Sequence, residues 1–266
     1  MIEAPSDRWV IDLRSNSPAN WAHFLNNHLP ALFAVADAAD LDPARVLALL
    51  PARIPDYILE AARLFDIEVL CTNATVHGEG VTFEFNPWGA LRSGRCDWVK
   101  LPWARKALQR ISDSATEQEL PKKVFLTRSA TRKVSNLDLI EPILSSRGFQ
   151  TILPETLTPA DQFRLFFEAE EMVAIHGAGL APLLYCDADN GPNRLIEILP
   201  CGHMTNVYRA IANEVGCQWM GLRGRIKPEY VRHVYDTDKP AYTRHSLDDF
   251  EVDPVSLDRA FELSGA

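Results

Sequence analysis

Long hydrophobic runs are missing from this chain. The longest, Leu29–Ala36 and Val46–Pro51, fall far short of the ~20 residues a membrane-crossing helix needs, so no membrane span is expected. The first residues, Met1–Arg8, lack the basic start and apolar core of a secretory signal, and the expected location is the cytoplasm. Positive charge is scarce. With 27 Lys and Arg against 36 Asp and Glu the formal charge is -9. That argues against a nucleic-acid partner, whose phosphates demand clustered basic residues. It leaves room for a small anion held by two or three arginines. The five cysteines are odd in number, widely spaced and without a Cys-x-x-Cys pair, which excludes a zinc knuckle or thioredoxin motif and points to free thiols. Neither a His-Glu-x-x-His zinc site nor a Gly-x-Ser-x-Gly nucleophile elbow occurs. Two acid–x–acid strings, Asp187-Ala188-Asp189 and Asp236-Thr237-Asp238, are little more than 19 aspartates yield by chance, so no metal site is assigned. No internal repeat or low-complexity segment stands out.

What is present is a folded α/β chain: 47% of residues are apolar and 24% charged. From Lys122 onward, short apolar runs alternate with helical patterns. Val124–Thr127, Phe149–Leu153, Met172–Ile175, Leu195–Leu199 and Cys217–Leu222 read as strands. Between them lie a helix after Asn136 ending at Gly148, one opened by Thr158-Pro159-Ala160-Asp161, one over Gly179–Cys186 and one over Thr205–Val215. Such alternation predicts a doubly wound parallel sheet. The first 120 residues are less regular. Asn20–Ala39 reads as a helix kinked or divided by Pro30, Arg45–Leu50 and Glu68–Cys71 as strands flanking a helix from Asp56 to Phe65, Val81–Phe85 as an exposed strand, and Pro102–Ile111 as a helix. The polar stretch Ser112–Lys122 is the best linker. The expected division is therefore 1–118 as a smaller N-terminal α/β lobe, 119–222 as a Rossmann-like domain, and 223–266 as a tail with a terminal helix after Asp253-Pro254.

Three features carry chemistry. His176-Gly177-Ala178-Gly179-Leu180 leaves a strand and opens a helix, where open α/β sheets bind ligands. Its glycines permit close backbone approach and its N–H groups suit a phosphate; a tight turn capped by the histidine is the plainer alternative. Thr127-Arg128-Ser129-Ala130-Thr131-Arg132, running to Asn136, also leaves a strand, and two arginines there suit a diphosphate, or else are solvated loop residues. Glu197, an acid inside the apolar strand Leu195–Leu199, needs a partner. A ribose diol would serve, as would Arg194 or Arg209.

Taken in order, Arg128…Arg132…Asn136, the Leu157–Gln162 helix start, His176–Leu180 and Ile196-Glu197-Ile198-Leu199-Pro200 resemble glycosyltransferase family 61, over about Lys123–Leu222. That group includes bacterial capsular-polysaccharide enzymes and eukaryotic xylosyl- or N-acetylglucosaminyltransferases. A weaker likeness covers Asn20–Pro30, similar to the family's Asn-x-x-His segment on the acceptor side. The resemblance implies a two-Rossmann (GT-B) architecture, an inverting mechanism, a nucleotide-diphosphate sugar donor, a glycan or polysaccharide acceptor, no obligatory metal and no other cofactor. It implies donor contacts from Arg128, Arg132, Asn136, His176, Gly177, Ala178, Gly179, Leu180 and Glu197. The chain departs from the pattern at Asn27, where relatives commonly carry a carboxylate. Asn cannot accept the acceptor's proton, so His23 or His28 is the expected base; a binding module without catalysis is the alternative. On an unbroken α-helix those two histidines, five residues apart, point about 140° apart, so only one is expected to face the ligand.

Overall fold

The structure is a computed structural model that describes residues 1–81, 101–113, 119–230 and 246–265. It divides into two compact units, Met1–Glu117 with Thr158–Arg164, and Gln118–Leu157 with Leu165–Ala266. The expected strand Val81–Phe85, all but its first residue, lies outside the described residues, as do Cys96, most of the Ser112–Lys122 linker's centre (114–118) and Asp236-Thr237-Asp238. No helix among the described residues is long and apolar enough to cross a membrane.

The first unit begins with β1 (Ile2–Glu3) and β2 (Trp9–Asp12), neither apparent in the sequence. After β3 (Val46–Leu50), β4 (Glu68–Cys71), β5 (Val76–His77) and β6 (Glu79–Gly80) the sheet order is β4-β3-β2-β6, all parallel, while β1 pairs with β5. In chain order this is 3-2-1-4, the order of the first four strands of a Rossmann sheet. β3 is buried along its whole length, as its unbroken Val-Leu-Ala-Leu-Leu run requires.

The helix expected over Asn20–Ala39 is interrupted. It runs as Trp21–His23, passes through a π-helical turn at Phe24–His28, and resumes as an α-helix over Leu29–Ala38. Asn20 caps its start, its side chain accepting from the His23 N–H at 3.2 Å. The Leu29 N–H reaches back five residues to the Phe24 carbonyl. Pro30 supplies the reason: it has no N–H, and in a regular helix its ring would strike the Asn26 carbonyl, a conflict that a widened turn removes.

The second unit holds β7 (Lys123–Leu126), β8 (Gln150–Ile152), β9 (Glu171–Ile175), β10 (Arg194–Leu199) and β11 (Gln218–Arg223) in one parallel sheet of order β8-β7-β9-β10-β11. This is the 2-1-3-4-5 doubly wound order, and its topological switch point lies between β7 and β9. Its helices Leu137–Ser146 and Val207–Glu214 fall where the periodicity predicts, as does Pro159–Glu168, whose residues up to Arg164 belong to the first unit. Thr158 is the expected cap, its Oγ1 accepting from the Asp161 N–H at 3.1 Å while its hydroxyl donates to the Asp161 carboxylate at 2.7 Å, and Gly148 and Gly216 end their helices at positive φ. The segment after His176 differs: Ala178–Tyr185 is a 3-10 helix, with Pro182 inside it unable to donate an α-helical bond.

Residues beyond 222, expected as a tail, contribute to this second unit. β12 (Arg225–Ile226) pairs antiparallel with β13 (Phe250–Glu251). The terminal helix Pro254–Ser264, capped by the Asp253 carboxylate on the Ser256 N–H at 3.1 Å, buries Leu257, Ala260 and Phe261 in the same apolar core as Phe125, Ile140, Val173 and Ile196.

Candidate functional site

In the second unit, Arg128 follows β7 and His176 follows β9, so the two flank the switch point. The Arg128 Nη1 donates to the His176 carbonyl at 3.1 Å and its Nε to the Thr131 carbonyl at 2.9 Å. Arg132, held at φ 58°, donates from Nε to the Ser246 carbonyl at 2.8 Å. Both guanidiniums are half-buried, and neither makes an ion pair with a carboxylate among the described residues. Burial lowers the Arg128 pKa, against the longer-range pull of Glu155. Burial, then the neighbouring Arg128 charge, pulls Arg132 down to about 10. Both stay protonated at neutral pH, but each charge is costly here without an anion.

His176 is 5% exposed and Glu197 fully buried. The His176 Nδ1 donates to the Glu197 Oε1 at 2.5 Å, and the Trp219 indole N–H donates to Oε2 at 2.7 Å. Register explains the second bond. Glu197 stands opposite Gly221 on β11, and the Trp219 ring lies across Gly221, where an added Cβ would sit 2.5 Å from it. Both Glu197 oxygens are engaged by His176 and Trp219 and none of its surface is exposed; its partners are neither Arg194 nor Arg209, and Arg209 lies over the Trp219 ring at 5.6 Å. Its buried carboxylate orients His176.

The glycines of the His176–Leu180 turn are filled from within the chain. A Cβ at Gly177 would lie 1.6 Å from the Arg128 Nη1, and one at Gly179 2.8 Å from the Pro154 ring. The Leu180 N–H is spent on the Gly177 carbonyl at 3.1 Å, and Ala178 opens the 3-10 segment. The turn is thus a platform for Arg128 rather than an open phosphate cradle. Asn136 does not cap its helix: its Nδ2 donates to the Val252 carbonyl at 2.7 Å and its Oδ1 accepts from the Val252 N–H at 3.0 Å, so it secures the C-terminal strand.

Sequence reasoning missed His203 and Tyr208. Their rings lie 5.1 Å and 5.5 Å from the His176 ring. Burial first, then the positive charge of Arg132 with His176 and Arg128, pushes His203 down to about 4, so it is neutral at physiological pH. Burial raises the Tyr208 hydroxyl, keeping it protonated. Reading the residues just past each strand would have found His203, which follows β10 as His176 follows β9.

The first unit gathers polar groups at the corresponding place, after β2. Arg14 brackets the Asp12 carboxylate at 2.9 and 2.6 Å and donates to the Ala74 carbonyl at 2.8 Å; the Arg14 hydrogen bond lowers the Asp12 pKa. Beyond this brace, Asn16 and Ser17 both adopt φ 57°, a left-handed pair that costs of order 1–3 kcal/mol per residue. The resulting loop aims the Asn16 carbonyl at both histidines, 3.1 Å from the His23 Nδ1 and 3.3 Å from the His28 Nε2. The expected 140° divergence is therefore overturned: the π turn spends one extra residue per turn and brings positions 23 and 28 to one face. Burial lowers the His28 pKa, offset by the Asn16 bond and reinforced by His23. On the same turn Asn26 is 1% exposed and Asn27 6%, and the Asn26 amide atoms, the Asn27 Oδ1 and the Trp21 indole N–H have no hydrogen-bond partner among the described residues. Each such buried atom costs about 1–3 kcal/mol.

Among the described residues no three His, Cys, Asp or Glu side chains converge as a metal cage. The Asp187 carboxylate instead accepts the N–H groups of Asp189 and Asn190, both at 3.0 Å, in a local turn. Cys71, Cys186, Cys201 and Cys217 are free thiols; burial pushes Cys217 up to about 12.

Two open parallel sheets, each with polar side chains gathered just past the carboxyl ends of its strands, define a doubly wound α/β protein of Rossmann-like type. The chain matches the family described as Glycosyltransferase 61 over residues 21–191, more than half its length, and it belongs to that family. It is also similar to the rice (Oryza sativa subsp. japonica) beta-1,2-xylosyltransferase XAX1, 25% identical over 123 residues. That match covers 44% of this chain and 21% of the rice protein, so the chain spans about a fifth of this relative.

Proposed function

We propose that the protein is an inverting, metal-independent glycosyltransferase of GT-B type. It moves a sugar from a nucleotide-diphosphate donor to a hydroxyl of a glycan or polysaccharide precursor, in a reducing, cytoplasmic setting that suits the free thiols Cys71, Cys186, Cys201 and Cys217. The observation that carries this reading is the pair Arg128 and Arg132: two half-buried guanidiniums beside a switch point, each with a lowered pKa and neither ion-paired with a carboxylate among the described residues. A diphosphate relieves that cost. As the sugar–phosphate bond breaks, charge grows on the leaving diphosphate, and preorganised donors there lower the barrier. His176, oriented by Glu197, adds a further donor beside them, with the Gly177–Leu180 turn as their platform. His23 or His28 takes the acceptor's proton in place of the carboxylate that Asn27 cannot supply.

A non-catalytic module that binds a nucleotide sugar or glycan is the second reading, and Asn27 is the observation that favours it. One experiment separates them. Calorimetry with a panel of nucleoside diphosphates in EDTA identifies the donor base, and a sugar-transfer assay with the matching donor follows. Binding with turnover supports the enzyme; binding without turnover, gained on Asn27→Asp, supports the module. An absolute need for manganese or magnesium contradicts metal independence.

A further inference from the structure

Glu197 is fully buried, its oxygens held by His176 and Trp219, but a second acid stands exposed at the same end of the sheet. Glu155 lies in the 3-10 turn Pro154–Thr156 that follows β8. The turn is closed by its own backbone, with the Thr156 N–H on the Leu153 carbonyl at 3.0 Å and the Leu157 N–H on the Pro154 carbonyl at 3.1 Å. It reaches past β7 to the segment after β9, where the Pro154 ring occupies the space a Gly179 side chain would need. The Glu155 Oε1 accepts from the hydroxyl of Ser129, the residue next to Arg128. Burial raises the Glu155 carboxyl, but that hydrogen bond, the N–H groups of Glu155 and Ser129 and the Arg128 charge together hold it below the usual carboxylate range. Glu155 is therefore an anion at neutral pH. An anion beside two arginines that hold a diphosphate opposes that ligand, so its place there calls for a neutral hydrogen-bond donor elsewhere on the same molecule.

From this arrangement we infer that Glu155 binds the ribose diol of the nucleoside diphosphate, accepting from its 2′- and 3′-hydroxyls, with Ser129 as the residue that positions it. This contact rests on the diphosphate reading of Arg128 and Arg132 and extends it to the nucleoside. In open α/β sheets that bind dinucleotides, the pyrophosphate lies past the first strand, and an acid about 20 residues on takes a ribose hydroxyl. β7 and β8 are the first two strands of this sheet in chain order and lie side by side, so Arg128 and Glu155 stand at those two places. A carboxylate offers about four acceptor positions, and the Ser129 hydroxyl fills one of them. The rest suit two vicinal hydroxyls, whose bonds to an ionised oxygen are stronger than bonds to a neutral one. Ionised phosphate oxygens carry no proton to donate and are repelled, so Glu155 receives the nucleoside end of the ligand and turns the diphosphate toward the arginines. Gly179 serves the same contact, because a side chain there would push Pro154 aside and Glu155 with it.

The test is calorimetry on the full chain in EDTA. The ligands are the uridine, guanosine, adenosine and cytidine diphosphates, the 2′,3′-dideoxy analogue of the tightest of them, and inorganic pyrophosphate. Wild type should bind the ribose form at least ~10-fold more tightly than the dideoxy form, the scale of hydrogen bonds to a charged group. Glu155→Ala should cut that preference below about 3-fold by weakening the ribose form alone. The dideoxy ligand and pyrophosphate should bind that variant as tightly as they bind wild type, or more tightly. Glu155→Gln, which keeps the shape and one acceptor oxygen, and Ser129→Ala, which lets the carboxylate turn, should fall between. A preference for the ribose form that survives in Glu155→Ala overturns the inference. Equal weakening of all three ligands in that variant overturns it too, and marks Glu155 as a brace for the Arg128 loop. The dideoxy comparison needs wild type alone, so it decides the matter even where a variant fails to fold: nucleoside diphosphate bound with the ribose hydroxyls ignored overturns this inference and leaves the diphosphate reading standing. A wild type that binds none of the nucleoside diphosphates overturns that reading and the ribose contact with it.

Discussion

The two units of this protein use the same device differently. Each is a parallel sheet with polar groups gathered beyond the carboxyl ends of its strands. In the second unit those groups are side chains locked by one another: Trp219 and His176 saturate Glu197, and Arg128 is laid over Gly177 onto the His176 carbonyl. In the first unit the organising group is a backbone carbonyl, presented by a left-handed loop to a widened helical turn, where buried amide atoms of Asn26 and Asn27 have no hydrogen-bond partner among the described residues. The difference follows from the work proposed for each. Stabilising charge on a leaving diphosphate calls for fixed dipoles and cations, which rigid mutual bonding supplies. Moving a proton calls for a group that changes its protonation in place, and a carbonyl serves both states of an imidazole.

The largest expected effect tests whether the proton-transfer role belongs to the first unit alone. His23→Ala should lower turnover roughly 10²–10⁴-fold, the range for losing a general base, with donor affinity nearly unchanged. His28→Ala should cost turnover less, since that ring is buried. Steady-state sugar transfer and calorimetry on the same preparations separate the two terms. Donor binding lost in His23→Ala would break the division between the units.

Next come the arginines. Arg128→Ala and Arg132→Ala should each weaken nucleoside diphosphate binding by about 1–3 kcal/mol, the usual cost of a lost charge-assisted bond. Gly177→Ala should follow Arg128→Ala closely, because its methyl takes the space of the Arg128 Nη1. A Gly177→Ala protein that binds as wild type would show that Arg128 needs no such seat.

A smaller effect is expected at Glu197. Glu197→Gln removes the carboxylate that orients His176, so pyrophosphate and nucleoside diphosphate should weaken alike, by a few-fold at about 1 kcal/mol. A loss confined to the nucleoside would revive the ribose contact that burial argues against.

The smallest concerns acid. His203 is held near 4 against an ordinary 6.5, so the folded state prefers it neutral. Stability on its account is intact above the ordinary value and is lost as pH falls from about 6.5 toward about 4, because the unfolded chain takes up the proton more readily. His28 is lowered too and acts with the same sign. Thermal midpoints across that window should decline less in His203→Gln than in wild type.

The sequence made the second unit far easier to read than the first, for physical reasons. β7, β9 and β10 are buried apolar runs set between amphipathic helices, and the residues just beyond them, Arg128 and His176, stand out by type. β2 is four residues, Trp-Val-Ile-Asp, too short for its periodicity to register. The π turn follows the same apolar spacing as an α-helix until Pro30 forces the extra residue, so the meeting of His23 with His28 is invisible in the pattern. Asn16 contributes a main-chain oxygen, which leaves no mark on residue type. Trp219 reaches Glu197 only because the register sets Gly221 opposite it.

The central claim, a diphosphate site carried by Arg128 and Arg132 of the second unit, is tested most directly by one calorimetric series. A panel of nucleoside diphosphates is titrated in EDTA into wild type, the Arg128→Ala/Arg132→Ala double variant and His23→Ala. The predicted result is binding to wild type, loss of at least ~10²-fold in the double variant, and unaltered affinity in His23→Ala. Equal affinity in wild type and the folded double variant, or no binding to wild type at all, would contradict it.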